Sequence, residues 1–171
     1  MIAIRRARPS DAAAIGAVHV ATWRSAYAGV LPEEYLAGLS AMRHAGGYQQ
    51  AIADRRDGHA IFVAVASGTD APPGLGEGEV ETLYVLDDYR ERGIGRRLMR
   101  AMAAHLAAVG CRSVMLWVLE ANPTRWFYLR LGGRPVAREA IRFAGLALDQ
   151  LAFAWDPIDT LLAATAPARE G

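Results

Sequence analysis

Arg90-Glu91-Arg92-Gly93-Ile94-Gly95 is the stretch on which the reading of the fold turns. A strand-like run, Val80 to Val85, comes before it, with Leu83 and Val85 on one face and Tyr84 on the other. An amphipathic run follows. Ile94, Leu98, Ala101, Met102, His105, Leu106 and Val109 recur at helical spacing, while Arg96, Arg97 and Arg100 lie off that face. The order strand, glycine turn, helix gives the turn a chemical use. Two glycines let the backbone approach a ligand with no Cβ in the way. The first N–H groups of the helix lack partners within it, and its dipole favours an anion at that end. Arg90, Arg92, Arg96, Arg97 and Arg100 add positive charge there. A pyrophosphate fits this arrangement, against the plainer reading of a glycine turn with solvated arginines.

The phosphate loop is of neither common kind. A dinucleotide-binding fingerprint needs a third glycine, and that position is Leu98. A Walker A loop needs Lys, and all 19 basic residues are Arg. Without Lys the chain also lacks a Schiff-base nucleophile. Cys111 is the single cysteine, so neither an intrachain disulfide nor a cysteine zinc site is available, and no metal is expected.

Outward from the loop the elements alternate. Upstream, Ile2 and Ile4 read as a short strand, and Pro9-Ser10-Asp11 leads into a helix from Ala12 carrying Ile15, Val18, His19, Thr22 and Trp23. Gly29 interrupts it, and Pro32-Glu33-Glu34 opens a second helix towards Arg56 with a weak point at Gly46-Gly47. Residues 60–65 read as a buried strand, and Ser67 to Gly78, with Pro72-Pro73, as a loop. Downstream come a strand at Ser113 to Leu119, a short helix from Asn122 to Leu131, and strands at Pro135 to Phe143 and Leu148 to Trp155. This order predicts a mixed α/β domain at residues 1–156, and an Ala-rich, frayed tail at 157–171.

The 171 residues suit one domain, and 53% apolar with 22% charged residues is a globular composition. A net charge of +1 gives no general attraction to nucleic acid or membrane. The opening residues, MIAIRRARPSD, lack the features of a secretory signal, and no apolar run is long enough for a bilayer. A cytoplasmic protein is the expectation.

R-x-x-G-x-G at Arg90 to Gly95, directly after Leu83-Tyr84-Val85, resembles the acetyl-CoA-binding motif of the GCN5-related N-acetyltransferase (GNAT) superfamily. A second segment is similar to another signature of that family: Asn122, a short helix bearing Phe127-Tyr128, and the glycine pair Gly132-Gly133. The resemblance spans residues 2–155. It implies one central twisted mixed sheet with helices on both faces, acetyl-CoA as co-substrate, and direct transfer of acetyl to a primary amine. Homodimers are common in the family. The family places two antiparallel strands before the strand that leads into the motif. Here only 60–66 reads as strand, and Pro72-Pro73 cannot sit inside a sheet, so one strand of that pair is expected to be lost or replaced by a loop between residues 60 and 78.

Roles follow residue by residue from the resemblance. Leu83, Tyr84 and Val85 would hold the acetyl carbonyl and pantetheine arm, and Arg90, Glu91, Arg92, Gly93, Ile94, Gly95 and Arg96 would wrap the pyrophosphate. Asn122, the only Asn in the chain, would bond the pantetheine arm or the substrate. Tyr128 would be the acid that protonates the departing thiolate. A positioned phenol suits that task on chemical grounds alone, although Phe127 and Tyr128 also read as an aromatic packing pair. Asn122 also reads as a helix cap. Glu81, which shares a strand face with Glu79, is the candidate base. Trp23 and Tyr27 read equally as an amine pocket or as core, since a cation gains from an aromatic face. A competing function is a non-catalytic acyl-CoA-binding sensor, which would keep the loop and misplace the acid.

Overall fold

The computed structural model of the chain describes residues 3–54, 60–65, 79–80 and 82–167. Strand β1 (Ala3–Arg6) pairs antiparallel with β2 (Phe62–Val65), Ile4 facing Ala64. Between them run α1 (Ala12–Ala26), α2 (Glu33–Ala37) and α3 (Ala41–Ala53). Asp11 closes the turn before α1, accepting from the Arg8 N–H at 2.6 Å and from the Arg5 guanidinium at 2.7 Å.

The second predicted helix is divided, and not where its glycines suggested. It breaks at Gly38 to Ser40, where the Ser40 hydroxyl accepts from the Arg43 N–H at 3.3 Å and starts α3. Gly46 and Gly47 lie inside α3. Packing overrides their low helix propensity. A Cβ at Gly16 of α1 would stand 2.4 Å from the Ala41 carbonyl oxygen, so only glycine lets the two helices meet this closely.

The run expected as a strand at Val80 to Val85 pairs only at its start. Glu79 bridges Met115 in parallel, and the Val80 N–H donates to the Met115 carbonyl at 2.9 Å. Among the described residues, no backbone bond joins 82–86 to the strand β3 (Val114–Leu119), so the two diverge. Helix α4 (Ile94–Ala108) follows the loop, and α5 (Arg125–Arg130) follows β3. The long strands β4 (Arg134–Phe143) and β5 (Leu146–Trp155) complete an antiparallel sheet in the order β3-β5-β4. The mixed α/β class is as expected. Its described ladders form two antiparallel sheets, and the bridge at Glu79 supplies the parallel element.

The frayed tail is a correction. Asp159–Ala164 forms helix α6, with Ile158, Leu161 and Thr165 buried. Those residues share a helical face that covers α4, and Arg100 donates to the Leu162 carbonyl at 2.8 Å. Alanine richness hid an apolar stripe. On α4 itself the buried face is Ile94, Leu98, Met99, Met102, Ala103 and Leu106, while Val109, expected inside, is 47% exposed. These residues share one core with Val80, Leu116, Phe153, Trp155 and Leu161. A smaller cluster of Ile15, Ile61 and Val63 holds α1 to β2. No helix among the described residues is long and apolar enough to cross a membrane.

Candidate active site

Where 82–86 leaves β3, a cleft of about 730 Å³ opens. Its walls are the diverging segments, the end of α1, the start of α4 and α5. A pair of strands that separates leaves backbone and side chains facing a gap instead of each other. That gap is the candidate site.

The α4 side presents a helix N-terminus, an end that favours negative charge. Gly93 stands at the helix N-cap with φ +71°, a left-handed conformation that a side chain resists. The first helical bond runs from the Arg97 N–H to the Gly93 carbonyl at 3.1 Å, so the N–H groups of Ile94, Gly95 and Arg96 precede it. Gly93, Ile94 and Gly95 all line the cleft, as do Arg90, Glu91 and Arg96. The arginines are less free than their density suggested. Arg90 pairs with Asp87 at 2.8 Å, and Arg96 donates to the Ala166 carbonyl beyond α6. Arg92 is exposed, lies over the Tyr89 ring at 5.3 Å, and is absent from the cleft wall. The backbone amides at the helix end are therefore more open to a ligand than these guanidinium groups.

The α1 and α5 side is aromatic and joined by hydrogen bonds. Asn122 is buried; its amide donates to the Tyr27 hydroxyl at 2.9 Å, and its Oδ1 accepts from the Thr124 N–H at 2.9 Å and hydroxyl at 2.8 Å. Asn122 thus shapes the turn into α5, whose N-cap is Thr124, and it also lines the cleft. The Trp23 indole N–H donates to the Tyr84 hydroxyl at 2.9 Å, tying α1 to the diverging segment. Trp23 and Tyr27 line the cleft half-buried, their rings 5.0 Å apart edge to face.

Tyr128 lines the cleft from α5, buried against Phe127, Phe153 and Trp155. Burial pushes its phenol above the ordinary tyrosine range, and nearby Tyr27 adds to the rise; a hydrogen bond with Thr124 pulls weakly the other way. Burial raises Tyr27 and Tyr84 likewise. All three phenols keep their protons at neutral pH. A protonated phenol in a dry cleft can donate to a charge that forms beside it.

The cleft therefore gathers Leu83, Tyr84, Val85, the loop except Arg92, Asn122, Tyr128, Trp23 and Tyr27. Glu81 lies outside the described residues, as does the segment 66–78 with its expected strand loss. Sequence reasoning missed Thr22, Thr124 and Phe143 on the wall. Thr124 had a signal, because an Asn side chain commonly accepts from the backbone N–H two residues on. Phe143 had none, since only the last hairpin brings it to Trp23, at 5.6 Å between rings.

Residues 16–132 match the family model described as Acetyltransferase (GNAT) family. The chain is similar to the uncharacterized N-acetyltransferase YuaI of Bacillus subtilis, at 27% identity over 94% of this chain and 96% of that one. It is 30% identical to the probable N-acetyltransferase Rv2775 of Mycobacterium tuberculosis, over 74% of this chain and 76% of the relative. In fold it resembles the PaiA N-acetyltransferase of Thermoplasma acidophilum, solved in complex with coenzyme A. There the TM-score is 0.69 and the identity 18%, over 91% of this chain and 99% of that one.

Proposed function

The chain belongs to the acetyltransferase (GNAT) family, and on that premise we propose that it passes the acetyl group of acetyl-CoA directly to a primary amine. One observation carries the reading. A glycine-capped helix N-terminus, a pair of diverging segments and a buried, protonated Tyr128 all face one cleft. The residues fit the co-substrate: Ile94 to Arg96 offer amides with no backbone partner among the described residues for a pyrophosphate, and the gap at Leu83 to Val85 has room for a slender arm.

Bound acetyl-CoA supplies an activated thioester carbonyl. The residues of this chain do the rest. The loop and helix end hold the diphosphate, and the segment 83–85 orients the carbonyl. Tyr128 gives its proton to the sulfur as the carbon–sulfur bond breaks, an assistance worth about 10²- to 10⁴-fold. The amine nitrogen attacks from the aromatic side, forming the amide bond and losing one proton. Glu81, or a water that it holds, is the candidate to take that proton. No covalent enzyme intermediate is needed, which agrees with a chain whose only thiol, Cys111, is buried in the core.

The test is release of free thiol from acetyl-CoA in the presence of a panel of primary amines, alongside acetyl-CoA binding by thermal shift. Amine-dependent thiol release is expected. Tight binding without release for any amine would favour the acyl-CoA sensor instead.

A further inference from the structure

Resting on the acetyl-transfer reading, we propose that the acceptor is a primary monoamine on a flat apolar body, and that polycationic amines are poor substrates. Two features of the cleft carry this.

The first is the wall beyond Tyr27. Trp23 packs against Phe143 at 5.6 Å and Tyr35 at 6.5 Å, and Tyr35 meets Phe143 edge to face at 5.4 Å. These rings come from α1, α2 and the end of β4, so three separate elements converge to make one aromatic face. Trp23 and Phe143 line the cleft, and Ile141 extends the apolar strip along β4. Such a surface favours a flat apolar group over a hydrated chain.

The second is charge. The charged residues on the cleft wall, among those described, are Arg90, Arg96, Arg130 and Glu91. Arg90, Glu91 and Arg96 belong to the loop and helix end on the opposite side, Arg90 paired with Asp87, so no carboxylate among the described residues of the aromatic side is placed to hold a second or third ammonium group. The polar groups of the aromatic side are neutral and mostly engaged with each other. The oxygens of Tyr27 and Tyr84 each already accept a protein N–H, leaving few partners for a many-hydroxyl substrate. The Thr22 hydroxyl is buried without a partner among the described residues, and one small polar contact is what a single amine group requires.

The experiment measures kcat/KM by thiol release for 2-phenylethylamine, ethylamine and spermidine, at equal ionic strength. 2-Phenylethylamine should exceed spermidine by about tenfold or more, in line with what one apolar pocket discriminates. Phe143→Ala should lower the 2-phenylethylamine value about tenfold and change ethylamine little. Phe143→Leu is the fallback if the alanine variant loses its fold, which the thermal shift with acetyl-CoA reports; it should retain part of the preference. Spermidine equal to or better than 2-phenylethylamine would overturn the acceptor class while leaving acetyl transfer intact. Equal losses for both monoamines in a folded Phe143 variant would also overturn it. No thiol release with any amine, despite acetyl-CoA binding, would instead overturn the transfer reading beneath it.

Discussion

The Asn122 side chain donates to the Tyr27 hydroxyl at 2.9 Å, joining the turn before α5 to the end of α1 across 95 positions of sequence. The same Asn122 accepts two hydrogen bonds from Thr124. One residue thus sets both the entry to the helix carrying Tyr128 and the position of the aromatic wall opposite.

Asn122→Ala should therefore cost more stability than Tyr27→Phe. The first strands three partners and is expected to lose about 1–3 kcal/mol; the second loses one hydroxyl and about 0.5–1.5 kcal/mol. In a double-mutant cycle by urea unfolding, the pair should couple by about 1 kcal/mol. Strict additivity would mean that the contact contributes nothing.

At the loop, Gly95→Val should abolish the rise in melting temperature caused by acetyl-CoA. A Cβ there would already stand 3.2 Å from the Phe127 ring, so a branched side chain is pushed into the anion site. Gly93→Val adds backbone strain of about 1–2 kcal/mol at φ +71°, so its apo melting temperature falls as well. Unchanged acetyl-CoA affinity in both variants would put the site elsewhere.

For Tyr128→Phe, turnover should drop about 10²-fold while acetyl-CoA affinity hardly moves, because the lost contact exists only as the thiolate leaves. The pH profile gives an independent check. An acid must be protonated to act, and the Tyr128 phenol is raised above the usual tyrosine value of 10.0. The wild-type kcat should thus show no alkaline loss from this group until above pH 10. A fall centred well below that would implicate another acid.

His19 is a stability marker away from the loop. Its Nδ1 lies 2.8 Å from the Tyr48 hydroxyl and its ring 3.9 Å from that of His44. Burial, reinforced by His44, lowers its pKa from 6.5 to about 4. The sign follows directly: below pH 6.5 the unfolded chain binds a proton that the folded chain refuses, so stability falls as pH drops towards 4. The loss from this group should approach roughly 2–3 kcal/mol. Urea unfolding at pH 7.0 and 4.5 should show a smaller difference for His19→Gln than for the wild type. An equal difference would remove His19 as the cause.

Much of the fold was legible because its signals are local. An apolar run marked β3, a helical stripe and glycines marked α4 and its loop, and Asn122 with the closing glycine pair marked the short helix α5. Errors arose where packing overruled local preference. The predicted break at Gly46-Gly47 gave way to contact between α1 and α3, and an alanine-rich tail became α6 because Leu161 found a place against α4. Val80 to Val85 has the composition of a strand, yet only its first residues pair.

That last difference separates what the sequence determined from what the tertiary structure decided. Residue types and their spacing were enough to give a glycine-capped helix end and a phenol on a short helix, since each depends on neighbours within a few positions. The cleft depends on two segments parting after a single parallel bridge, and on Trp23, Tyr35 and Phe143 meeting from distant parts of the chain. Whether Trp23 and Tyr27 are core or wall could not be read from spacing, because an aromatic side chain buries the same apolar area against protein or against a ligand gap. Only the divergence of the backbone leaves that gap beside them.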